Sequence, residues 1–462
     1  MLSSALLSLA AASLVSANKL QHAARQAASS APSAPVASST PPSASTQATL
    51  TFQLASTNPT AVPLSSIVAS QASSPTIPLP STYPAGSTPT VVSNAPALPN
   101  AALLNPKSYP SLDVKPPTDS PEVQQWKQEV ANSGIQIPNI PPTVAGKWWL
   151  IFSGCPANPD AVKDTSRCWW TCGGCTQPSD ISDCPAKSHW GLTYDDGPSF
   201  YTPNLMTYLG EQNLKATFFV VGSRCISFPA ILQAEYMAGH QIGVHTWSHP
   251  ALTTLTNDEI IAELGWTRKV IKDILGVTPN TMRPPYGDID NRVRAISRAM
   301  GLTPVMWTRQ DALHTFDTDD FNVHNGMTSA PQVLNNWNAI LGNASQLDHG
   351  FIVLEHDLFE ETVELATGYI LPDALKRGIT MEPVVTCLNK PLNDAYVELN
   401  DNKTNPPPVS ASNVATLSSG APGSAQATGA AGRNGAVQNA ASGGSVAMLA
   451  CAATFVLTLS WL

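Results

Sequence analysis

Charged residues are scarce in this sequence and nearly absent from its two ends. Of 462 residues, 24 are Lys or Arg and 33 are Asp or Glu, which gives a formal net charge of −9. No charged residue lies between Arg25 and Lys107, and after Asn405 the single charged residue is Arg433. Nucleic-acid binding calls for a basic stripe, so this composition argues against a nucleic-acid partner.

Large apolar residues are also sparse at both ends, where Ser, Thr, Pro, Ala and Gly dominate. Such segments have little apolar surface to offset the entropy of ordering the chain. We therefore expect disordered arms at 18–120 and 401–445, the first of them O-glycosylated. The folded part is expected at 121–183, a region rich in Cys and Trp, and at 184–400, the main domain.

The extreme termini are apolar and read as targeting signals. Residues 1–17 end in Val-Ser-Ala, which suits a cleaved secretory signal peptide. Residues 446–462 are apolar, with no charge after them and a small polar spacer before them, which favours a GPI anchor attached at Asn434, or at Asn439. The alternative is a retained transmembrane helix, which usually carries basic residues on its cytoplasmic side.

Eight cysteines fit the secreted interpretation. Cys451 would leave with the tail, and the other seven should mostly form disulfides, with one left over. The Cys-x3-Cys-x2-Cys run from Cys168 to Cys175 could instead form a zinc knuckle, although no ligating His lies beside it. Asn343 and Asn402 begin Asn-x-Ser/Thr sequons and are predicted glycosylation sites.

Short apolar runs alternate with helical patterns after residue 188. A helix is predicted from Thr256, whose pairing with Glu259 forms a capping box, to Gly276. Repeated strand–helix units imply a parallel sheet, in an α/β barrel or a doubly wound fold. Polar residues at the strand ends favour the barrel, with its site at their C-terminal edge. The predicted strands are 189–194, 216–221, 241–244, 303–307 and 351–354.

Two motifs offer metal ligands. Asp195 and Asp196 end the first strand, and alternation lets one carboxylate bind a metal while the other faces the reacting atoms. His245 and His249 are four residues apart, so on one helical turn both imidazoles would face one ion. Each motif alone is also common as a surface turn or an exposed histidine pair. Together, one carboxylate and two imidazoles leave coordination positions open, as a catalytic metal site requires.

Two further motifs follow later strands. Arg283-Pro-Pro-Tyr286-Gly-Asp has a rigid backbone that can aim an N–H group at a developing oxyanion. Leu354-Glu-His356 places an apolar side chain and an imidazole on the same face of its strand. Taken alone, either could be a structural turn or a buried histidine.

In this order and spacing, the four motifs resemble those of the polysaccharide deacetylase family, which shares the NodB homology domain. The resemblance covers about Cys184 to Cys387 and implies a distorted (β/α)7 barrel. It implies a water nucleophile on one divalent metal ion, zinc by default, with cobalt or manganese possible. The roles it implies are metal ligation by Asp196, His245 and His249, general base for Asp195, support of that base for Arg283, an oxyanion-binding amide for Tyr286, and general acid for His356.

Three further expectations accompany the resemblance. Asp311, four residues after Trp307, stands where the family has an Asp that orients the acid, although the family's second Asp followed by an aromatic is not found there. Trp307 and Leu354 are expected to contact the substrate. Cys184 and Cys387 flank the first and last strands, and we expect them to form a disulfide.

The arrangement of signal, Ser/Thr-rich arm, single domain and lipid-anchor tail is most similar to fungal chitin deacetylases. The similarity implies a monomeric enzyme at the plasma membrane and cell wall that removes N-acetyl groups from chitin or its oligomers. One alternative is an esterase of another acetylated glycan such as xylan. A second is a structural wall mannoprotein with an inactive domain. The 121–183 extension is assigned no chemistry.

Overall fold

The computed structural model describes residues 52–69, 77–145, 154–311 and 314–399. The predicted signal peptide, linker and tail, and with them Asn402, Asn434, Asn439 and Cys451, lie outside these ranges. Within them, no helix combines the length and the hydropathy needed to cross a bilayer.

The strands are short and all their pairings are parallel. They are β1 (His189–Gly191), β2 (Thr193–Asp195), β3 (Thr217–Val220), β4 (Gln241–Val244), β5 (Thr281–Met282), β6 (Thr303–Pro304), β7 (Phe351–Ile352) and β8 (Thr380–Glu382).

The helices lie between and around the strands. They are α1 (Pro121–Asn132), α2 (Pro159–Lys163), α3 (Trp170–Gly173), α4 (Thr202–Glu211), α5 (Gly222–Ser227), α6 (Pro229–Met237), α7 (Asn257–Leu275), α8 (Asn291–Ala299), α9 (Phe321–His324), α10 (Ala330–Ala344), α11 (Glu360–Leu365), α12 (Leu371–Lys376) and α13 (Val384–Cys387). The sequon residue Asn343 is in the last turn of α10, and its glycosylation stays a prediction.

The strands form a distorted barrel. One sheet has the order β2-β3-β4-β5-β6 and the other β7-β1-β8. β1 and β2 are one strand interrupted at Leu192, so the described residues contain seven strands in all. The Thr308 N–H donates to the Ile352 carbonyl at 3.0 Å, which links the chain after β6 to β7 and closes the ring. The parallel α/β prediction is confirmed, with strands shorter than the apolar runs.

The helix α7 shows why its boundaries could be read from the sequence. The Thr256 side chain accepts from the Glu259 N–H, and the Glu259 carboxylate accepts from the Thr256 N–H, which completes the capping box. Gly276 ends the helix at φ 82°, a left-handed conformation that glycine adopts without steric cost. The predicted start and end of this helix are therefore confirmed.

The N-terminal arm differs from its expectation. In the stretches 52–69 and 77–120, Ile67, Val92, Leu98 and Tyr109 are buried in the same core as the barrel. Disorder, expected for all of 18–120, therefore does not hold for these stretches. A proline-rich chain loses less conformational entropy on ordering, so widely spaced apolar anchors suffice to bind it to the barrel.

Polar contacts fix the arm at several points. The Tyr109 hydroxyl donates to Asp273 at 2.6 Å, and the Tyr369 hydroxyl donates to the Val62 carbonyl at 2.6 Å. The Trp247 indole N–H donates to the Ser111 carbonyl at 3.0 Å. The arm therefore contacts the barrel over much of its described length.

The cysteine pairing is resolved within the described residues. Cys184 and Cys387 form the predicted disulfide, which joins the chain before β1 to α13 after β8. Two more disulfides, Cys155–Cys172 and Cys168–Cys175, tie the extension together, so the zinc-knuckle alternative is excluded. Among the described cysteines, Cys225 is the remaining free thiol, and it is buried.

A close helix–helix approach gives a stability test. A Cβ at Gly265 in α7 would lie 2.2 Å from a ring carbon of Trp126, which is buried on α1. Overpacking costs about 1–3 kcal/mol, whereas Ala gains about 1 kcal/mol over Gly in a helix. We expect Gly265→Ala to lower the free energy of unfolding by up to about 2 kcal/mol in urea titrations.

Gly342→Ala is the matched control, since Gly342 is exposed on α10 with no atom within 4 Å of an added Cβ. This variant should be neutral or more stable by up to about 1 kcal/mol. Equal gains at both positions would contradict the packing of α1 on α7.

Candidate active site

The C-terminal ends of the parallel strands bring the four motifs together. Asp195 ends β2, His245 follows β4, and Arg283 follows β5. His356, beyond β7, forms a parallel bridge with Asp195. Residues far apart in sequence thus meet at one edge of the barrel, as predicted from their strand-end positions.

Three of these side chains form a cluster suited to a metal ion. Ligand atoms of Asp196, His245 and His249 all lie within 4.8 Å of one another. The Asp196 Oδ1 atom is 3.3 Å from His245 Nε2 and 3.1 Å from His249 Nε2. It is buried and forms no well-directed hydrogen bond to either nitrogen. One carboxylate and two imidazoles that converge without a shared proton fit a divalent cation.

The electrostatics of Asp196 agree with that fit. Burial opposes ionisation of this carboxyl, but the charge of the adjacent His249 imidazole outweighs it and holds the pKa of Asp196 well below its usual value. His245 Nδ1 donates to the Arg283 carbonyl at 2.7 Å, which leaves Nε2 with its lone pair toward Asp196. Such an outer hydrogen bond is the usual support for a metal-binding imidazole.

The loop that carries the histidines is not helical, so the prediction of one helical turn is wrong. Thr246 and His249 are left-handed, with φ of 66° and 60°, and a helix cannot contain them. The buried Glu263 carboxylate on α7 accepts from the Trp247 N–H at 2.8 Å and from the Ser248 N–H at 2.9 Å. These bonds to α7 hold a tight turn that brings the imidazoles together, with ring centroids 4.9 Å apart.

Asp195 lies beside the cluster with a buried cation behind it. Its Oδ1 accepts from an Arg283 guanidinium N–H at 2.9 Å, and its Oδ2 is 3.8 Å from His245 Nε2. Arg283 is fully buried, also donates to the Thr193 hydroxyl, and stacks on the Phe219 ring at 4.5 Å. The arrangement keeps one Asp195 oxygen fixed and directs the other toward the cluster.

Tyr286 borders the Asp196–His245–His249 cluster from another side. It is left-handed at φ 60°, and its ring centroid is 4.6 Å from that of His249. Trp307 is buried, with its indole N–H donating to Thr315 Oγ1 at 3.1 Å, and Leu354 is also buried. Their roles toward substrate stay predictions.

His356 is paired with a residue that the sequence analysis missed. Its Nδ1 lies 2.8 Å from Asp320 Oδ1, and its backbone N–H donates to Asp320 Oδ2 at 3.0 Å. Burial alone would lower the pKa of His356, but the charge and hydrogen bond of Asp320, with the charges of Asp196 and Asp195, raise it to about 10. The imidazole is therefore protonated at neutral pH.

The prediction that Asp311 orients this imidazole is wrong. Asp311 lies on an exposed turn, where its carboxylate pairs with His314 at 2.7 Å. Arg309 and Thr315 pair in an antiparallel bridge, and the segment that these two residues bound is called the excursion. Because of the excursion, the expected Asp followed by an aromatic comes later in the chain, as Asp320 and Phe321. The Asp-aromatic dipeptide was therefore visible in the sequence. In the structure, the Phe321 ring lies 5.2 Å from the His356 ring.

The barrel carries one carboxylate and two imidazoles beside a second carboxylate and a protonated imidazole. This combination is typical of metal-dependent hydrolases. A profile of the family described as polysaccharide deacetylase matches residues 182–305. Chitin deacetylase 1 of Cryptococcus neoformans var. grubii is 51% identical over 346 residues, which cover 74% of this chain and 71% of that protein. The chain belongs to the polysaccharide deacetylase family.

Two further similarities cover less of the chain. The chitin deacetylase of Amylomyces rouxii is 41% identical over 230 residues, or 48% of this chain and 52% of that protein. Among solved structures, a chitin deacetylase from the fungal pathogen Colletotrichum lindemuthianum is 27% identical, with a TM-score of 0.42, over 47% of this chain and 94% of that chain.

The cluster predicts how metal binding depends on its residues. Asp196→Ala, His245→Ala and His249→Ala should each weaken metal binding by more than the roughly 10–100-fold that follows loss of an outer hydrogen-bond partner. Metal content of the purified proteins by elemental analysis, and chelator competition, measure this. His314→Ala, which removes an exposed histidine outside the cluster, is the control. Full metal content in all three cluster variants would refute the assignment.

Proposed function

We propose that this protein hydrolyses the N-acetyl groups of chitin, with release of acetate and formation of chitosan. The main support is that two groups border the three-residue cluster. They are the Asp195 carboxylate, held by Arg283, and the His356 imidazole, held by Asp320. Such a site offers a base, an acid and ligands for a cation, which together suit amide hydrolysis. The similarity to chitin deacetylases supports the choice of substrate.

The proposed ligands are Asp196, His245 and His249, with zinc as the expected ion and cobalt or manganese as substitutes. When bound, such an ion lowers the pKa of a coordinated water and polarises the acetyl carbonyl. Asp195 takes the proton of the attacking water at its Oδ2, while Arg283 holds Oδ1. The Tyr286 backbone N–H stabilises the charge that develops on the carbonyl oxygen.

His356 completes the reaction. An amine is a poor leaving group, so its nitrogen must be protonated before the C–N bond breaks. The Nε2 proton of His356 is available for this step because Asp320 holds the opposite ring nitrogen. Water adds to the acetyl carbon, the C–N bond breaks, and the products are acetate and a free glucosamine amine.

Two alternatives are outcomes of the test. The same residues could hydrolyse the O-acetyl esters of xylan, since an ester uses the same base and oxyanion site. An inactive wall mannoprotein is disfavoured because the cluster, the Asp195–Arg283 pair and the His356–Asp320 pair are all assembled.

We also propose that the chain is secreted, N-glycosylated at Asn343 and Asn402, and held at the plasma membrane and cell wall by a GPI anchor at Asn434. This placement rests on the terminal sequences and on the substrate, which is a wall polymer. A monomer with wall glycans as its partners is the simplest state for such an enzyme.

Acetate release tests the function. Wild-type protein should release acetate from N-acetylglucosamine hexamers, and more slowly or not at all from acetylated xylan. Chelator should abolish the activity and added zinc should restore it. Asp195→Asn should keep its metal and lose roughly 10²- to 10⁴-fold in rate, since the amide cannot accept a proton. Equal rates on xylan would favour the esterase, and no acetate from either substrate would refute catalysis.

The pH profile tests the acid. Protonated His356 is the active form, so activity falls as pH rises through its pKa. Asp320 raises that pKa, so Asp320→Asn should lower kcat and move the alkaline limb toward lower pH. Asp311→Asn, at the exposed aspartate, should leave the profile unchanged. A shift from Asp311→Asn with none from Asp320→Asn would reverse the assignment.

A further inference from the structure

The turn that carries Tyr286 has an unusual backbone. Tyr286 has φ 60° and ψ 11°, and Gly287 follows at φ 64°. A non-glycine residue in this region is strained and persists only where its surroundings hold it. The direction of the Tyr286 N–H depends on this conformation, so whatever holds the turn also sets the aim of that donor.

The surroundings of the turn come largely from α3 in the cysteine-rich extension. The Trp169 indole N–H and the Thr171 hydroxyl each donate to Asp288 Oδ1 at 2.8 Å. The Trp170 N–H donates to the Ile289 carbonyl at 3.0 Å. Three consecutive residues of the extension therefore form hydrogen bonds with the two residues that follow the turn, Asp288 and Ile289.

The Trp170 side chain closes the same turn from outside. A Cβ at Gly287 would lie 2.3 Å from its ring, so the indole fits directly against the glycine. Trp170 also meets Trp307 edge to face, with centroids 4.4 Å apart. Arg309, in the excursion, donates to the Trp170 carbonyl and lies over its ring at 5.1 Å.

The other half of Asp288 is bound to the barrel. Its Oδ2 accepts from the Thr253 N–H at 2.8 Å and from the Thr253 hydroxyl at 2.7 Å. Asp288 thus bridges the extension and the loop after the histidines. Its carboxylate accepts four hydrogen bonds, and together they fix the residue that directly follows the turn.

The extension is itself braced. The Cys168–Cys175 disulfide flanks α3, and the Cys155–Cys172 disulfide anchors it to the preceding turn. Arg294 on α8 donates to the carbonyls of Cys168 and Cys175, at 2.6 and 2.8 Å. A short helix held in this way can serve as a fixed support.

We propose that the extension, through Trp169, Trp170 and Thr171, positions the Tyr286 amide for oxyanion stabilisation. These are positioning residues, because they act through Asp288 and Gly287. The inference rests on the proposed function, in which that amide binds the developing oxyanion. Since the oxyanion exists in the transition state and not in the bound substrate, a loosened turn lowers kcat and leaves KM and metal affinity unchanged.

The test compares two Trp→Phe changes of equal chemistry. Trp169→Phe removes the indole donor to Asp288 at 2.8 Å, and Trp337→Phe removes the indole donor to Asp373 at 2.9 Å. Trp337 lies on α10, outside the active-site residues, and both indoles are buried. Each variant should lose stability to a similar degree in thermal unfolding, so a purely structural effect appears in both.

With metal-loaded protein and N-acetylglucosamine hexamers, Trp169→Phe should lower kcat roughly 5- to 10-fold, part of the 10²–10³ that loss of a whole oxyanion donor costs. KM and the metal dissociation constant should not change, and Trp337→Phe should keep the wild-type kcat. Thr171→Val, which removes the second donor to Asp288, should reproduce the kcat loss and serves if Trp169→Phe does not fold.

Unchanged kcat in both extension variants would overturn the inference, as would an equal loss in Trp337→Phe. A loss confined to metal affinity would also overturn it. These outcomes are separate from failure of the proposed function, because that failure would appear as absence of acetate release by the wild-type protein.

Discussion

The rest of the site depends on the ion pair between the buried Arg283 guanidinium and Asp195. Its side chain holds Asp195 and Thr193, and its backbone carbonyl accepts from His245 Nδ1. One residue therefore fixes the proposed base and sets the tautomer of a proposed ligand. A cation without exposure is costly unless paired, and burial does lower the pKa of Arg283 against the opposing charge of Asp195. Removing either partner leaves an uncompensated buried charge.

Four residues with a strained backbone lie around the same place. Asp196, Thr246, His249 and Tyr286 are non-glycine residues with φ between 60° and 76°. For a β-branched residue such as Thr246, this conformation is a genuine outlier. Each departs from the regular path at a strand end or in a tight turn, which converges donor atoms that a helix or strand would separate. Hydrogen bonds elsewhere offset the free-energy cost of these conformations, for example those that the Glu263 carboxylate accepts from the histidine loop.

The contrast between what the sequence predicted and what it did not has a physical basis. Strand ends, the α7 cap at Thr256 and the Cys184–Cys387 pairing are encoded locally or follow from barrel closure, so they could be read from one sequence. Asp320 was missed because the excursion separates it from Trp307, and spacing carries information only when the intervening chain is regular. The packing of the N-terminal arm was missed because its large apolar residues are sparse, which indicates a weak driving force per residue. A few buried side chains such as Ile67 are nevertheless enough to bind the arm to the barrel.

The charges around the cluster explain why a divalent cation suits it. Besides the two imidazoles of the cluster, three carboxyl groups, those of Asp195, Asp196 and Asp320, lie beside two cations, Arg283 and protonated His356. Two carboxyls farther in, Glu355 and Glu235, add little negative charge at neutral pH, because burial raises the pKa of both well above the usual range. A divalent cation would offset the excess of carboxyl groups, and positive charge in a buried environment stabilises a developing oxyanion more strongly than water can. Asp357, whose pKa burial raises to about 7, adds its negative charge as pH rises.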